Sequence, residues 1–339
     1  MTQMIERVED DQREPTGSFE AAADPYRREL FAHCYRMLGS VHDAEDLLQE
    51  TYLRAWRSYD RFEGRSTLRT WLYRIATNAC LSALESRSRR PLPTGLGAPC
   101  SQPGEALVER GEVPWLEPVP DAMLGTDPSL AVDPAAVVAT RAGVRLALVA
   151  ALQHLPPRQR AVLVRREVLA LRAAEVAQVL DMSVAAVNSS LQRARATLDA
   201  AQLREEDLHE PTDPAQRELL DRYAAALEAK DLATIVTVFT VDAVWEMPPF
   251  DSWYQGAGAI AELIGTHCPA GPGELRTVAT AANGQPAFAV YLLVEGRWKP
   301  FQLQVLTLTG GRVSHVTAFF DTGLFPTFGL PATPPLTVP

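Results

Sequence analysis

Two stretches of the chain carry apolar residues at helical spacing. Within residues 25–90 the spacing is seen in Ala44, Leu48 and Ala55, and residues 137–203 repeat it in four successive segments. A period near 3.6 residues predicts amphipathic helices that bury one face. We therefore expect two all-α domains, one in each stretch.

The second helical stretch ends in two short helices joined by a tight turn. The pattern predicts helices at Arg172–Leu180 and Val184–Leu198, with Ser183 as the N-cap of the second helix. The turn lacks the common glycine, so Asp181 must accommodate it. In isolation such a pair is as often a packing unit as a DNA-binding helix-turn-helix.

Residues 212–328 have a different pattern. Two helical stretches come first, and five runs with the alternation of β-strands follow. Asn283-Gly284 and Gly310-Gly311 mark hairpin turns between runs. Helices followed by an antiparallel sheet predict an α+β domain. The fold class we expect is thus multidomain, with two all-α domains and a C-terminal α+β domain.

The remaining segments separate or flank these domains. Residues 91–136 contain nine prolines and little periodicity, which predicts an extended acidic linker. Its exception is the apolar island Val113–Leu124, which we expect to dock on this protein or on a partner. Residues 1–24 are predicted to be an acidic tail and residues 329–339 a disordered one.

Charge is distributed unevenly along the chain. The net charge is −10, yet residues 25–90 hold 12 arginines against 8 acidic residues and residues 137–203 hold 9 against 4. Two basic modules therefore lie in acidic surroundings. Nucleic-acid binding depends on the local field rather than on the total charge, so the acidic total does not exclude it.

Other compositional signals point away from several classes of protein. Cys34, Cys80, Cys100 and Cys268 lack metal-binding spacing and are expected to be reduced thiols. No apolar run reaches the ~20 residues of a membrane helix, and the polar N-terminus does not resemble a signal peptide. We expect a cytoplasmic protein with no cofactor and no metal.

The segment Leu38–Trp56, LGSVHDAEDLLQETYLRAW, is an amphipathic helix with an acidic face. Alone, that face is most simply a solvated one. The motif, however, resembles the promoter-opening domain of extracytoplasmic-function (ECF) sigma factors of bacterial RNA polymerase. The resemblance implies docking of this helix on the clamp helices of the largest polymerase subunit. The residues it assigns to that contact are Asp43, Glu45, Asp46, Gln49 and Glu50.

The next segment, Phe62–Arg90, is a basic loop that opens into an aromatic-rich helix, with Ser66 as a plausible N-cap. Arginines can hold phosphates and aromatic rings can hold unstacked bases, as capture of a melted strand requires. The resemblance implies that this loop takes a flipped base of the minus-ten promoter element. The candidate residues are Arg61, Phe62, Arg65, Arg69, Trp71, Arg74 and Asn78. Trp71 has an equally good alternative as a core residue that braces the loop.

The helix-turn-helix pattern spans Ala173–Leu198. Its position after the first module makes DNA binding the favoured interpretation, because the resemblance places the reader of the minus-35 element there, together with a contact to the polymerase flap. Arg160 and Arg165, with neighbouring arginines, are expected to add backbone contacts. The candidate residues of the recognition helix are Val184, Asn188, Ser189, Gln192, Arg193 and Arg195.

The C-terminal segment, from LLDRYAAALEAKDL onward, resembles the SnoaL-like domain, a cone-shaped α+β barrel. That resemblance implies a pocket, with a possible small-molecule ligand. The candidate pocket residues are Trp245, Trp253, Tyr254, Gln302, Gln304, His315 and Phe319. Asp242, Glu246, His315 and Asp321 are a possible acid–base set, but catalysis is not favoured because sequence does not bring them together.

The favoured function is promoter-specific transcription initiation with core RNA polymerase and promoter DNA as partners, modulated by the SnoaL-like domain. One alternative is a helix-turn-helix regulator, which needs no polymerase-docking helix. The other is a SnoaL-type enzyme tethered to DNA.

Overall fold

The computed structural model describes residues 19–124, 143–200 and 214–335. Residues 1–18 of the predicted acidic tail lie outside the described residues, whereas residues 19–24 are helical and belong to the first module, so the tail prediction is wrong for them. The first module contains α1 (Phe19–Ala23), α2 (Arg27–Leu38), α3 (Val41–Ser58) and α4 (Leu68–Leu84). Its core is a stripe from each long helix.

Two caps set the helix boundaries of this module. Ser40 caps α3 by accepting from the Asp43 amide, and Thr67, not the expected Ser66, caps α4 by accepting from the Thr70 amide. Gly39 ends α2 with a positive φ of 71°, and a Cβ there would lie 2.8 Å from the Leu116 side chain of the linker. Only glycine combines this conformation with so close an approach.

The described part of the linker is docked rather than free. It has a short 3-10 turn at Pro93–Gly95 and a helical turn, α5 (Asp121–Leu124). Leu116, Val119 and Leu124 are buried in the core of the first module, which is the docking expected for the apolar island. The linker thus contributes side chains to the apolar core.

The second module contains α6 (Leu146–Leu152), α7 (Pro157–Leu163), α8 (Ala173–Leu180) and α9 (Val184–Ala200), with a π-helical turn after α7. Pro157 opens α7, as the preference of proline for the first helical position predicts. Asp181 ends α8 in the left-handed conformation, φ 52°, so the turn without glycine is made by an aspartate. The apolar spacing predicts a helix start at Arg141, a position that lies outside the described residues.

The C-terminal domain begins with two helices, α10 (Pro214–Ala229) and α11 (Leu232–Val238), and α12 (Ala257–His267) lies between strands. Its strands are β1 (Phe239–Glu246), β2 (Trp253–Gln255), β3 (Leu275–Ala282), β4 (Gln285–Val294), β5 (Arg297–Thr309) and β6 (Arg312–Phe319). The order is β2-β1-β6-β5-β4-β3. The α+β prediction is confirmed, but β1 pairs parallel with β6 instead of antiparallel.

The six-stranded sheet has two buried faces. Its inner face packs on α10 to α12 around Trp245, Val290 and Leu306. Its outer face, with Val305 and Phe319, shares one apolar core with the two helical modules. Beyond the last strand, α13 (Leu324–Thr327) and the following residues to 335 are placed, and the Pro331 carbonyl accepts from Tyr291. The expectation of disorder is therefore wrong for residues 329–335.

Candidate binding surfaces and the interdomain junction

The outward face of α3 is polar at its start and apolar at its end. Glu45, Asp46 and Gln49 are exposed, and Glu50 pairs with Arg54 across one turn at 2.6 Å. Leu53 and Trp56 continue this face with 54% and 59% exposure. Exposed large apolar side chains beside acids are typical of a protein-binding surface.

Asp43 does not belong to that surface. Its carboxylate is half-buried and pairs with Arg87 at 2.5 Å and with Arg90 at 2.7 Å. Both arginines follow α4, so these ion pairs tie the end of α4 to the start of α3. Asp43 is therefore corrected from a docking residue to one that holds the module together.

The loop before α4 exposes cations around an aromatic cluster. Arg61, Arg65, Arg74 and Asn78 are exposed. Phe62 lies over Trp71 with ring centroids 4.9 Å apart. These exposed groups suit a strand that passes over the loop.

Trp71 and Arg69 are less accessible than direct DNA contact requires. Trp71 is 7% exposed beneath Phe62, so its structure matches the bracing alternative and not an open stacking surface. Arg69 is half-buried and paired with Glu29 at 2.8 Å, and this hydrogen bond raises its pKa. Both residues position the loop, which corrects their assignment as direct contacts.

The second module presents one face of α9 to solvent. Val187, Leu191 and Ala194 are buried on the opposite face. Ser183 caps the helix by accepting from the Ala186 amide at 3.1 Å. Among the predicted reading residues, Ser189 is half-buried and donates to the Ala186 carbonyl. The remaining ones are exposed: Val184, Asn188, Gln192, Arg193 and Arg195.

Three arginines lie buried between the helical modules. Arg165 donates to the Tyr73 carbonyl at 2.5 Å and to the Thr77 hydroxyl, and Arg160 donates to the Met37 carbonyl. Arg36 donates in the other direction, to the Gly143 carbonyl at 2.8 Å. Burial lowers the pKa of each guanidinium to about 10.

Arginines in this position remain charged at neutral pH and need carbonyl acceptors to offset their desolvation. Arg160 and Arg165 were expected to contact phosphate. In this arrangement they instead attach the second module to the first, so the expectation is wrong for this state of the protein.

The β3–β4 turn of the C-terminal domain enters the same junction. Asn283 is fully buried with φ 58°. Its side-chain amide donates to the Tyr35 hydroxyl at 2.8 Å and to the Val144 carbonyl at 2.7 Å, and its oxygen accepts from the Val119 amide at 2.9 Å. One side chain thus joins the first module, the linker and the start of the second module.

A buried acid on the outer face of the sheet holds the linker. Glu246 accepts from the Thr94 amide at 3.0 Å, from Thr317 at 3.1 Å and lies 2.8 Å from His315 Nε2. Burial would raise the pKa of Glu246, but the charge and hydrogen bond of His315 and the bonds from Thr94 hold it below its usual value. The carboxylate is therefore the stable form.

The inner face of the sheet surrounds a cavity of about 280 Å³. Trp245 and Gln302 supply polar atoms to an otherwise apolar wall that includes Leu107 of the linker. The described lining residues include no carboxylate. Among them His267 could act as an acid or base, but its ring already lies 2.9 Å from the Pro103 carbonyl of the linker.

Comparison with known proteins assigns these parts. The model of Sigma-70 region 2 matches residues 23–90, that of Sigma-70 region 4 matches 145–198 and that of the SnoaL-like domain matches 220–322. The ECF RNA polymerase sigma factor SigG of Mycobacterium tuberculosis is 56% identical over 330 residues, 96% of this chain and 88% of that protein. The chain belongs to the ECF sigma factors.

A second relative gives the same picture in three dimensions. SigJ of Mycobacterium tuberculosis is 32% identical over 245 residues, 70% of this chain and 69% of that protein. The crystal structure of SigJ matches with a TM-score of 0.58 at 25% identity, covering 92% of this chain and 99% of that one. The resemblance found in the sequence, including the SnoaL-like domain, is therefore confirmed.

The structure divides the predicted pocket residues of this sigma factor among different places. Trp245 and Gln302 line the cavity, while Gln304 and Tyr254 lie in the inner-face core beside it. Trp253 donates to the Gly97 carbonyl of the linker. His315 and Phe319 face outward, because β6 alternates about Val316 and Ala318, so their assignment to the pocket is wrong.

Sequence reasoning also missed several residues of this sigma factor. Leu53 and Trp56 could have been found from the sequence, because they are large apolar residues outside the core stripe of α3. Asn283 was read only as a turn residue. Its buried role has no sequence signal, because it depends on contacts with positions 119, 144 and 35, all remote along the chain.

Among the residues with assigned structure, no helix is long and apolar enough to cross a membrane.

Proposed function

We propose that this ECF sigma factor directs core RNA polymerase to specific promoters and works in the cytoplasm. The outward face of α3, Glu45 to Trp56, contacts the polymerase, the loop before α4 takes the melted strand, and α9 reads duplex DNA. The observation that carries the proposal is selective exposure. These three surfaces stay open to solvent while the other faces of the same helices are buried.

Charge reversal on α3 tests the polymerase contact. The double variant Asp46→Lys, Glu50→Lys places like charges against a basic partner, and we expect at least about tenfold weaker binding of core polymerase. Glu262→Lys, on an exposed site of α12, is the matched control and should bind normally. Binding and run-off transcription are measured together. Normal polymerase binding by the double variant would favour the helix-turn-helix regulator instead.

We also propose that the docked arrangement is the less active state, controlled by the SnoaL-like domain. The minus-ten and minus-35 elements are by their names about 25 base pairs apart, roughly 85 Å of duplex. Two touching modules of this size, each about 28 Å across, reach at most about 55 Å. The modules touch through Arg165 and Tyr73. They must therefore separate before both elements are bound.

Asn283 offers the sharpest test of this control. Asn283→Gly keeps the positive φ of the turn and the backbone bond from residue 283 to the Val119 carbonyl, and it removes the three side-chain hydrogen bonds of the junction. At about 1 kcal/mol each, their loss shifts the docked–open equilibrium more than about hundredfold toward open. We expect a larger radius of gyration in solution scattering and higher transcription.

The matched control lies in another glycine-containing hairpin turn, between β5 and β6. Gly310→Asn changes an exposed residue whose positive φ asparagine tolerates, and a Cβ there meets no other atom within 4 Å. This variant should change neither the radius of gyration nor transcription. A more open Asn283→Gly protein with unchanged transcription would contradict control by docking while leaving the polymerase contact intact.

We further propose that the SnoaL-like domain is not a catalyst. The support is that Glu246 is fully buried and held by the Thr94 amide, Thr317 and His315, while the cavity in the cone has no carboxylate among its described lining residues. A SnoaL-type enzyme would place an acid or base against its substrate.

A further inference from the structure

The cavity inside the cone contains buried polar atoms that the protein leaves without partners. Trp245 is 3% exposed, Gln302 5% and Gln304 0%. Trp245 Nε1, Gln302 Oε1 and Gln304 Nε2 have no hydrogen-bond partner. Each such atom costs about 1–3 kcal/mol when it is left unsatisfied. Two of the three belong to residues that line the cavity, so a bound molecule would restore their hydrogen bonds.

The linker between the two sigma modules forms part of the cavity wall. Leu107 lines the cavity directly. On either side of Leu107 the backbone is fastened to the cone: the Cys100 amide donates to the Trp253 carbonyl at 2.7 Å, and the Arg110 amide donates to the Pro249 carbonyl at 2.8 Å. Arg110 also pairs with Asp251 at 2.8 Å. The linker therefore lies across the cavity like a fastened lid.

We propose that this cavity binds a neutral, mostly apolar small molecule with one hydroxyl or carbonyl group, and that the linker is its lid. A molecule in the cavity packs against Leu107 only while the linker is docked. By linkage it therefore stabilises the docked linker by its differential affinity for that state. The effect on transcription rests on the proposed function, whereas the binding and the lid do not.

The chemistry of the wall selects the ligand class. The Trp245 N–H requires an acceptor and the Gln302 oxygen requires a donor, and a hydroxyl group supplies both. The described lining has no carboxylate, lysine or arginine, and the ring of His267 already lies 2.9 Å from the Pro103 carbonyl. A charged ligand would be buried without a counter-charge, which is unfavourable.

Binding is tested on the full chain with three neutral probes of increasing size: cyclohexanol, 4-ethylphenol and 2-naphthol. We expect saturable binding of at least one in calorimetry, and none of the anion 2-naphthoate. Trp245→Phe should weaken binding about five- to tenfold, because one hydrogen bond is lost. Trp298→Phe is the matched control, since Trp298 belongs to the same sheet but not to the cavity lining. No saturable binding of any neutral probe would overturn the site.

Trypsin tests the lid. Arg110 is the only lysine or arginine in residues 91–136, so cleavage there reports release of the linker. The probe that binds should slow cleavage at Arg110. The largest expected slowing is a factor of 1 + [L]/Kd, where [L] is the free concentration of the probe. Trp245→Phe should show weaker protection at the same probe concentration. Binding without protection at Arg110 would overturn the lid, and neither result depends on polymerase or promoter binding.

Discussion

The two faces of the C-terminal sheet differ in whether their buried polar groups have hydrogen-bond partners. On the outer face, Glu246 meets three donors and Asn283, at the sheet edge, meets three partners in other parts of the chain. On the inner face, Trp245 and Gln302 have polar atoms without partners. One sheet therefore satisfies these buried polar groups on its outer face and leaves buried polar atoms without partners on its inner face.

This difference separates two roles of the SnoaL-like domain. Satisfied buried polar groups fix one arrangement of the surrounding elements, because each loses its bonds when the elements part. Unsatisfied ones weaken the protein until something binds. The outer face thus determines how the sigma modules are held, and the inner face is where a small molecule can act on that arrangement.

The largest effect that distinguishes the faces is expected at Glu246. Glu246→Gln puts an amide donor against one of the existing donors, and we expect a loss of about 2–3 kcal/mol in the free energy of unfolding at pH 7. The pKa of Glu246 is lowered in the folded protein, so its contribution is present above the unfolded value of 4.5 and is lost as pH falls through the folded pKa. The difference between the two proteins should therefore shrink below pH 4.5.

Urea denaturation at three pH values, neutral, mildly acidic and well below the unfolded pKa of glutamate, measures this difference. Glu262→Gln, at an exposed helical site, is the control and should match the parent protein at each pH. A deficit in Glu246→Gln that stays constant down to the lowest pH would show that its cause is packing and not the carboxylate charge.

The sequence predicted the helices and strands of this protein better than the way in which they pack against one another. Helical spacing located α3, α4 and α9, and alternation located most of the sheet, because these signals are local. The exposure of α9 positions such as Asn188 and Gln192 followed directly from that spacing. Periodicity assigns a helix face without knowledge of the rest of the fold.

The packing of one element against another left no pattern in the local sequence. The sequence alone does not tell an arginine that binds phosphate from one that binds a buried carbonyl. Only the packing of α7 on α2 shows that Arg160 binds a carbonyl. His315 was placed in the pocket because the resemblance to the SnoaL-like domain implied a pocket lined by residues of the sheet. Since both faces of the sheet are buried, hydrophobic alternation could not tell inner from outer.

The smallest effect should have the opposite sign and lies at Gln302. Gln302→Leu keeps a similar volume and removes the unpartnered inner-face oxygen, so we expect the ligand-free protein to gain about 1 kcal/mol. Thermal unfolding without ligand measures the gain, and Thr317→Val, which removes a satisfied donor to Glu246 on the outer face, should instead lose stability. If Gln302→Leu is also destabilising, the two faces do not differ in the way their hydrogen bonds indicate. If it is stabilising yet binds the neutral probes more weakly, the glutamine is retained at the expense of stability, because a bound molecule needs its oxygen.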